Sequence, residues 1–269
     1  MIKTGLVLSG GGARAIAHLG VLQGMREVGI EPACISGVSA GAIIGALYAA
    51  DYTPLQIMDM IKEYSSSSLA KMMLLPGGLF SAAGLKKILR SVISKDSFEA
   101  LRIPLFVTTT DIISGTSVTF SQGQLFDVVV GSSSVPAMFS PVKHGGHYLV
   151  DGGVLNNFPV ECLTGHCDRI IGSHVNKLYP LKPKQLGRLK VLERCFHLAI
   201  AHTVKRNSSS VDLLIEPQLA KYGMFEMKFA RQIFEAGYSS LMANEELLLS
   251  WKEPGHPAGA GAGHDQVKE

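Results

Sequence analysis

The chain has 269 residues, 25 Lys and Arg against 22 Asp and Glu for a formal charge of +3, and 46% hydrophobic residues. That hydrophobic fraction supports one substantial core, while 17% charged residues is low for a disordered or surface-dominated protein. The small positive charge excludes a nucleic-acid-binding surface as the main theme and permits only a weak attraction to anionic lipid.

In chain order, residues 5–9 form a short apolar run ending in glycines, and residues 13–28 place Ile16, Leu19, Val21, Leu22 and Met25 at helical spacing. This predicts a strand, a tight loop and a helix. Residues 33–36 repeat the pattern, passing through Gly37-Val38-Ser39-Ala40-Gly41 into a helix over about 42–50. Helices follow over 54–64, opened by Pro54, and over 81–93. Between them Met72-Met73-Leu74-Leu75 precedes Pro76-Gly77-Gly78, so residues 71–80 read either as a mobile apolar flap or as a loop packed on the core. Strands are predicted over 103–110, 116–120 and 148–150, the last reached through a Gly145-Gly146 turn that suits a two-residue hairpin. Two further strands, 169–174 and 211–215, and two helices, 189–205 and 229–251, complete the pattern. Consecutive strand-to-helix units imply a mostly parallel sheet with helices on its faces.

One domain is expected over 1–252, followed by a flexible Gly/Ala/Pro-rich tail over 253–269. No apolar run is long enough to span a membrane, and Met1-Ile2-Lys3-Thr4 leads into a strand without a signal-peptide core, so the expected location is cytoplasmic. Cys34, Cys162, Cys167 and Cys195 include no CxxC pair and read as buried free thiols. No grouping of His, Asp and Glu has metal-ligand spacing, so neither metal nor cofactor is expected.

The chemistry concentrates in three glycine-rich stretches. Gly37-Val38-Ser39-Ala40-Gly41 lies between a predicted strand and a predicted helix, and Gly37 and Gly41 allow the sharp turn that lifts a serine hydroxyl above a sheet. Ser39 is the candidate nucleophile. Gly10-Gly11-Gly12-Ala13-Arg14 precedes a helix and can bind an anion with backbone N–H groups, but the Walker and dinucleotide patterns are incomplete. With a serine nucleophile nearby it reads as an oxyanion site. Arg14 is expected either to hold this loop, to meet an anionic head group, or to form a surface salt bridge. Asp151, at a strand end before Gly152 and Gly153, is the candidate general base, although an Asp-Gly turn is common by itself. His18 is expected in the core, and His144 and His147 in exposed positions beside the hairpin turn; any of them becomes an alternative base if Asp151 is not one.

In this order the blocks resemble the patatin-like phospholipase family, which combines a Gly-Gly-Gly-x-Arg/Lys loop, a Gly-x-Ser-x-Gly elbow and an Asp-Gly-Gly/Ala motif. Ser132-Ser133-Ser134-Val135-Pro136 and the run from Asp151 through Asn156-Asn157-Phe158-Pro159-Val160 also look like family blocks, so the resemblance covers about residues 3–175. It implies a three-layer α/β/α sandwich and hydrolysis of acyl esters, commonly phospholipid or lysophospholipid, by a Ser39–Asp151 dyad without catalytic histidine. It further implies an oxyanion hole of backbone amides near Gly11, Gly12 and Ala13. Ala15 departs from the family's usual glycine, and its methyl group is expected to narrow the loop or change its dihedral angles. Acyl transfer on the same serine, or a low-turnover lipid-binding or regulatory protein, are the alternative readings.

Overall fold

The computed structural model describes residues 2–66, 82–180, 187–224 and 226–252. The flap expected over 71–80 and the tail over 253–269 lie outside them.

Among the described residues the strands β1 (Thr4–Leu8), β2 (Pro32–Val38), β3 (Leu105–Asp111), β4 (Thr116–Phe120), β5 (Val142–His144), β6 (His147–Asp151), β7 (Arg169–Ser173) and β8 (Leu213–Ile215) form one mixed sheet. Its order is β5-β6-β3-β2-β1-β7-β8, with β4 paired to β3. The run from β3 to β8 is parallel, and β4, β5 and β6 are antiparallel additions. Around it lie the helices α1 (Ile16–Val28), α2 (Ala40–Ala49), α3 (Pro54–Ser66), α4 (Ala82–Val92), α5 (Phe126–Ser132), α6 (Arg188–Asn207), α7 (Ala230–Met242) and α8 (Glu245–Ser250). None of the described helices is long and apolar enough to cross a membrane.

Side chains alternate across a strand, and β1 shows why the sheet needs two covers. Leu6 and Leu8 enter a large core with residues of α1, α2, α3 and α7, whereas Val7 points the other way to Phe158, Leu163, Ile200 and Val204. The result is the expected three-layer α/β/α sandwich. On the first face α1 and α7 cross at backbone contact: a Cβ on Gly237 would stand 1.9 Å from the Ala17 carbonyl oxygen, so no larger residue fits the crossing.

The strand β3 organises the future site. Over Val107–Asp111 one of its edges is taken by β4, so β2 and β6 must share the other. The parallel ladder with β2 ends at Val38 opposite Thr108, and the antiparallel ladder with β6 begins at Asp151 opposite Thr109. Two strand ends therefore meet head-on at neighbouring positions of one rail. Asp151 reaches this point on an antiparallel strand, not at the end of a parallel one.

Two elements differ from expectation. The predicted helix over 229–251 is two helices, broken where the Asn244 side chain donates to the Ser240 carbonyl at 3.0 Å and its backbone N–H to Leu241 O at 2.8 Å. An Asn side chain competing for backbone partners ends a helix in this way. Conversely, α5 arises from Phe126-Asp127-Val128-Val129-Val130, a β-branched run whose burial against the sheet overrides its weak helix propensity. Of the four cysteines expected in the core only Cys34 is buried; Cys162 and Cys167 are half-buried and Cys195 is exposed.

Candidate active site

The sharp turn at the end of β2 places Ser39 at φ 55°, ψ −130°, a conformation rare for a side-chain-bearing residue. The turn closes because Gly41 leaves space: a Cβ there would lie 2.4 Å from Leu8 O and 2.6 Å from Ser9 O. Backbone strain of this kind costs on the order of 1–3 kcal/mol and persists only where the surroundings enforce it. Here the enforcement is visible. The Ser39 N–H donates to Ser132 Oγ at 2.9 Å, and Ser132 Oγ donates onward to the Thr108 carbonyl at 2.6 Å. Ser133 Oγ donates to Ser39 O at 3.2 Å. The serine block that follows the valines of α5 thus ties the elbow to β3.

Ser39 Oγ donates to Asp151 Oδ2 at 2.6 Å, and Asp151 Oδ1 accepts the Gly153 N–H at 2.7 Å. Asp151 is 3% exposed. Burial, opposed by the hydrogen bonds from Ser39 and Gly153, pushes its pKa from 3.8 up to about 6. Gly152 packs directly on β3, since a Cβ would lie 2.2 Å from Thr108 O. Ser39 and the Asp151 carboxylate are thereby fixed against the same residue, Thr108.

The glycine loop lies alongside, with Gly10 so close that a Cβ would stand 2.9 Å from Ser39 Cβ. Its amides are not equivalent. Gly10 N–H donates to Asn157 Oδ1 at 3.2 Å, Ala13 N–H to Met224 O at 2.7 Å, and Arg14 N–H to Gly11 O at 3.2 Å. Gly11 and Gly12 N–H have no acceptor among the described residues. Sequence reasoning grouped Ala13 with those two, but the Met224 carbonyl occupies its donor. Ala15 adopts φ −60°, ψ −18°, ordinary helical values open to any residue, so the expected change of dihedral angles is absent.

Asn176 is a further residue of the loop's setting, 166 positions from its partner and without a local signal in the sequence. Its Nδ2 donates to Gly10 O at 2.7 Å. The carbonyl and the following N–H of a trans peptide point in opposite directions, so this bond also fixes where the Gly11 N–H aims. Arg14 is only 9% exposed: its Nε donates to Tyr222 O at 2.7 Å and its Nη1 to Asn176 Oδ1 at 3.4 Å. It holds the loop from behind.

No histidine among the described residues hydrogen-bonds to Ser39. His18 is fully buried, with Nε2 donating to Ser9 O at 2.8 Å and Nδ1 therefore accepting from Ser173 Oγ at 2.7 Å. Desolvation lowers its pKa from 6.5 to about 4, so the ring is neutral at neutral pH. His147, half-buried rather than fully exposed, pairs with Asp111 at 3.0 Å. The described residues also contain no cluster of three or more His, Cys, Asp or Glu able to hold a metal ion.

The sequence model of the patatin-like phospholipase family matches residues 6–163. An uncharacterised NTE family protein of Mycobacterium tuberculosis is 28% identical over 260 residues, which cover 87% of this chain and 45% of the relative. The neuropathy target esterase sws of Drosophila melanogaster is 33% identical over 167 residues, 59% of this chain and 12% of the relative. The chain thus spans less than half the length of these relatives. Among solved structures, VipD from Legionella pneumophila superposes with a TM-score of 0.55 at 16% identity, covering 92% of this chain and 67% of that one. ExoU in its complex with SpcU from Pseudomonas aeruginosa gives 0.50 at 17% identity, covering 92% and 52%. Similarity at this level of identity speaks to the fold.

Proposed function

The chain belongs to the patatin-like phospholipase family, and on that premise we propose that it hydrolyses acyl esters of phospholipids or lysophospholipids through a Ser39–Asp151 dyad. The observation that carries the reading is the 2.6 Å contact from Ser39 Oγ to a buried carboxylate whose pKa is raised to about 6. A carboxylate is ordinarily too weak a base for a serine hydroxyl, and raising its pKa toward the working pH improves proton transfer.

In the first half-reaction Ser39 Oγ attacks the acyl carbonyl carbon while its proton passes to Asp151 Oδ2. The carbonyl oxygen becomes an oxyanion, received by the N–H groups of Gly11 and Gly12. Collapse breaks the ester bond, and the leaving alkoxide takes the proton from Asp151. In the second half-reaction water attacks the acyl-serine, gives its proton to Asp151, and the fatty acid leaves as Ser39 recovers its hydrogen. Asn176 orients the Gly11 donor, and Ser132 holds the nucleophile in its turn.

A fluorophosphonate probe tests the nucleophile, with labelling expected at Ser39 in the wild type and lost in Ser39→Ala. A panel of acyl esters, lysophospholipids and diacyl phospholipids then identifies the substrate class, and products with and without an alcohol acceptor separate hydrolysis from acyl transfer. Failure of Ser39 to label, with the protein folded, sinks the proposal.

A further inference from the structure

The rim of the site on the β3 side has a composition unlike a surface meant for water. Ile112 and Ile113 sit at the tip of the β3–β4 hairpin, where polar turn residues are the rule, and are 49% and 75% exposed. Tyr148 on the adjoining β5–β6 hairpin is also exposed, and its carbonyl accepts the Ile112 N–H at 3.0 Å, so the two tips are joined. Exposed Pro136 follows two residues after Ser134, whose carbonyl accepts the Asp151 N–H at 2.9 Å, which brings that segment to the same rim.

Direction matters as much as composition. β3 runs parallel to β1 and β2, whose C-terminal ends carry the glycine loop and Ser39. Ile112 lies three residues beyond Thr109, the level of the dyad, which at roughly 3.3 Å per residue is about 10 Å further out on the same edge. The tip therefore meets a surface before the serine does.

Charge supports one occupant. Residues 112–125 contain no charged side chain and residues 135–149 only Lys143, where an overall 17% leads one to expect several. The nearby acid, Asp111, is turned inward onto His147 Nδ1, Ser114 Oγ and two backbone N–H groups. Lys143 remains at the rim, with Nζ 5.9 Å from the centre of the Tyr148 ring. An apolar tip, an amphipathic tyrosine and a lone cation match an anionic bilayer: acyl chains for the isoleucines, the interface for the tyrosine, head groups for the lysine. We propose that the β3–β4 and β5–β6 hairpin tips, centred on Ile112, Ile113, Tyr148 and Lys143, seat this protein on anionic phospholipid surfaces. The inference rests on the lipid-esterase reading but is measured without it.

The test is co-sedimentation with phosphatidylcholine vesicles, with and without phosphatidylglycerol, for the wild type, Ile112→Ser/Ile113→Ser and Lys143→Glu. The wild type should bind best when phosphatidylglycerol is present. The double serine variant should bind at least about tenfold more weakly, as expected for withdrawing two aliphatic side chains from lipid. Lys143→Glu should lose the preference for phosphatidylglycerol. Fluorophosphonate labelling of Ser39 and hydrolysis of a soluble short-chain ester should be unchanged in all three, which keeps a fault in docking distinct from a fault in the dyad. Equal vesicle binding by wild type and double variant, or none by the wild type, overturns the proposal. So does a dimer of this chain that the isoleucine changes dissociate, because the patch is then a protein interface.

Discussion

Replacing Asp151 by Asn should abolish most activity while making the protein more stable at neutral pH. Burial holds the Asp151 pKa at about 6 against an ordinary 3.8, so between those values the folded chain keeps a proton that the unfolded chain releases. Stability must then fall as pH rises through that window. At 1.36 kcal/mol per pKa unit, ionisation of this group costs the fold about 0.5 kcal/mol at pH 4 and about 3 kcal/mol at pH 8. Asn keeps the shape and the acceptor for the Gly153 N–H and does not ionise, so the penalty disappears. His18 works in the opposite sense: its pKa falls from 6.5 to about 4, the fold excludes a proton that the unfolded chain accepts, and acidification through that range removes about 3 kcal/mol. The contributions of these two buried groups run in opposite directions with pH and largely cancel each other in the wild type. Urea unfolding of wild type and Asp151→Asn at about pH 4 and about pH 8 should show the variant's advantage growing by about 2–3 kcal/mol, with esterase rate down on the order of a thousandfold. Altered hydrogen bonds add an offset that does not vary with pH, so the change with pH is the decisive quantity. An advantage equal at both pH values refutes the buried-carboxylate argument, and near-full activity refutes the dyad.

At Ser39 both Gly and Ala remove the nucleophile, but only Gly relaxes the strained turn, so Ser39→Gly should be about 1 kcal/mol more stable than Ser39→Ala, measured by denaturation. The reverse order contradicts the strain. Asn176→Ala leaves the Gly10 carbonyl with only the long 3.4 Å bond from Asn157 Nδ2 and should lower kcat about 10–100-fold with KM nearly constant, while the inflection of the pH–rate profile near the Asp151 pKa stays in place; a shifted inflection would mean that the dyad itself had moved. His18→Gln should flatten the acid-side loss seen in Asp151→Asn, since the group that resists protonation is gone. His144→Ala and His147→Ala should retain the esterase rate to within a few-fold, and a loss as deep as that of Ser39→Ala would transfer the base role to that histidine.

Much of the site could be read locally because its demands are local. An elbow between strand and helix needs small residues at Gly37 and Gly41, a two-residue hairpin turn needs Gly145 and Gly146 at positive φ, and both leave a mark in the sequence. The β1 and β2 strands were legible because they are short, almost wholly apolar runs buried on both faces, and α1 because its apolar residues recur at helical spacing and are buried. What stayed hidden depends on distant partners. Nothing near Phe126 says that a valine run will be a helix, and nothing near Asn176 says that it will meet Gly10. The Met224 carbonyl that takes the Ala13 N–H arrives from a turn more than two hundred residues away. The dinucleotide-like glycine pattern gives the loop's existence, but its environment decides which of its amides are free.

The meeting of two strand ends on β3 also determines how this site can fail. Ser39 follows a strand of the central parallel ladder, whereas Asp151 belongs to a hairpin whose ladder with β3 spans only Thr109–Asp111. Segments with fewer buried contacts and hydrogen bonds open at lower free energy than core strands. On the dyad reading, a local opening of this hairpin would take Asp151 from Ser39 and leave the elbow standing on β2, so activity should be lost before the rest of the molecule unfolds.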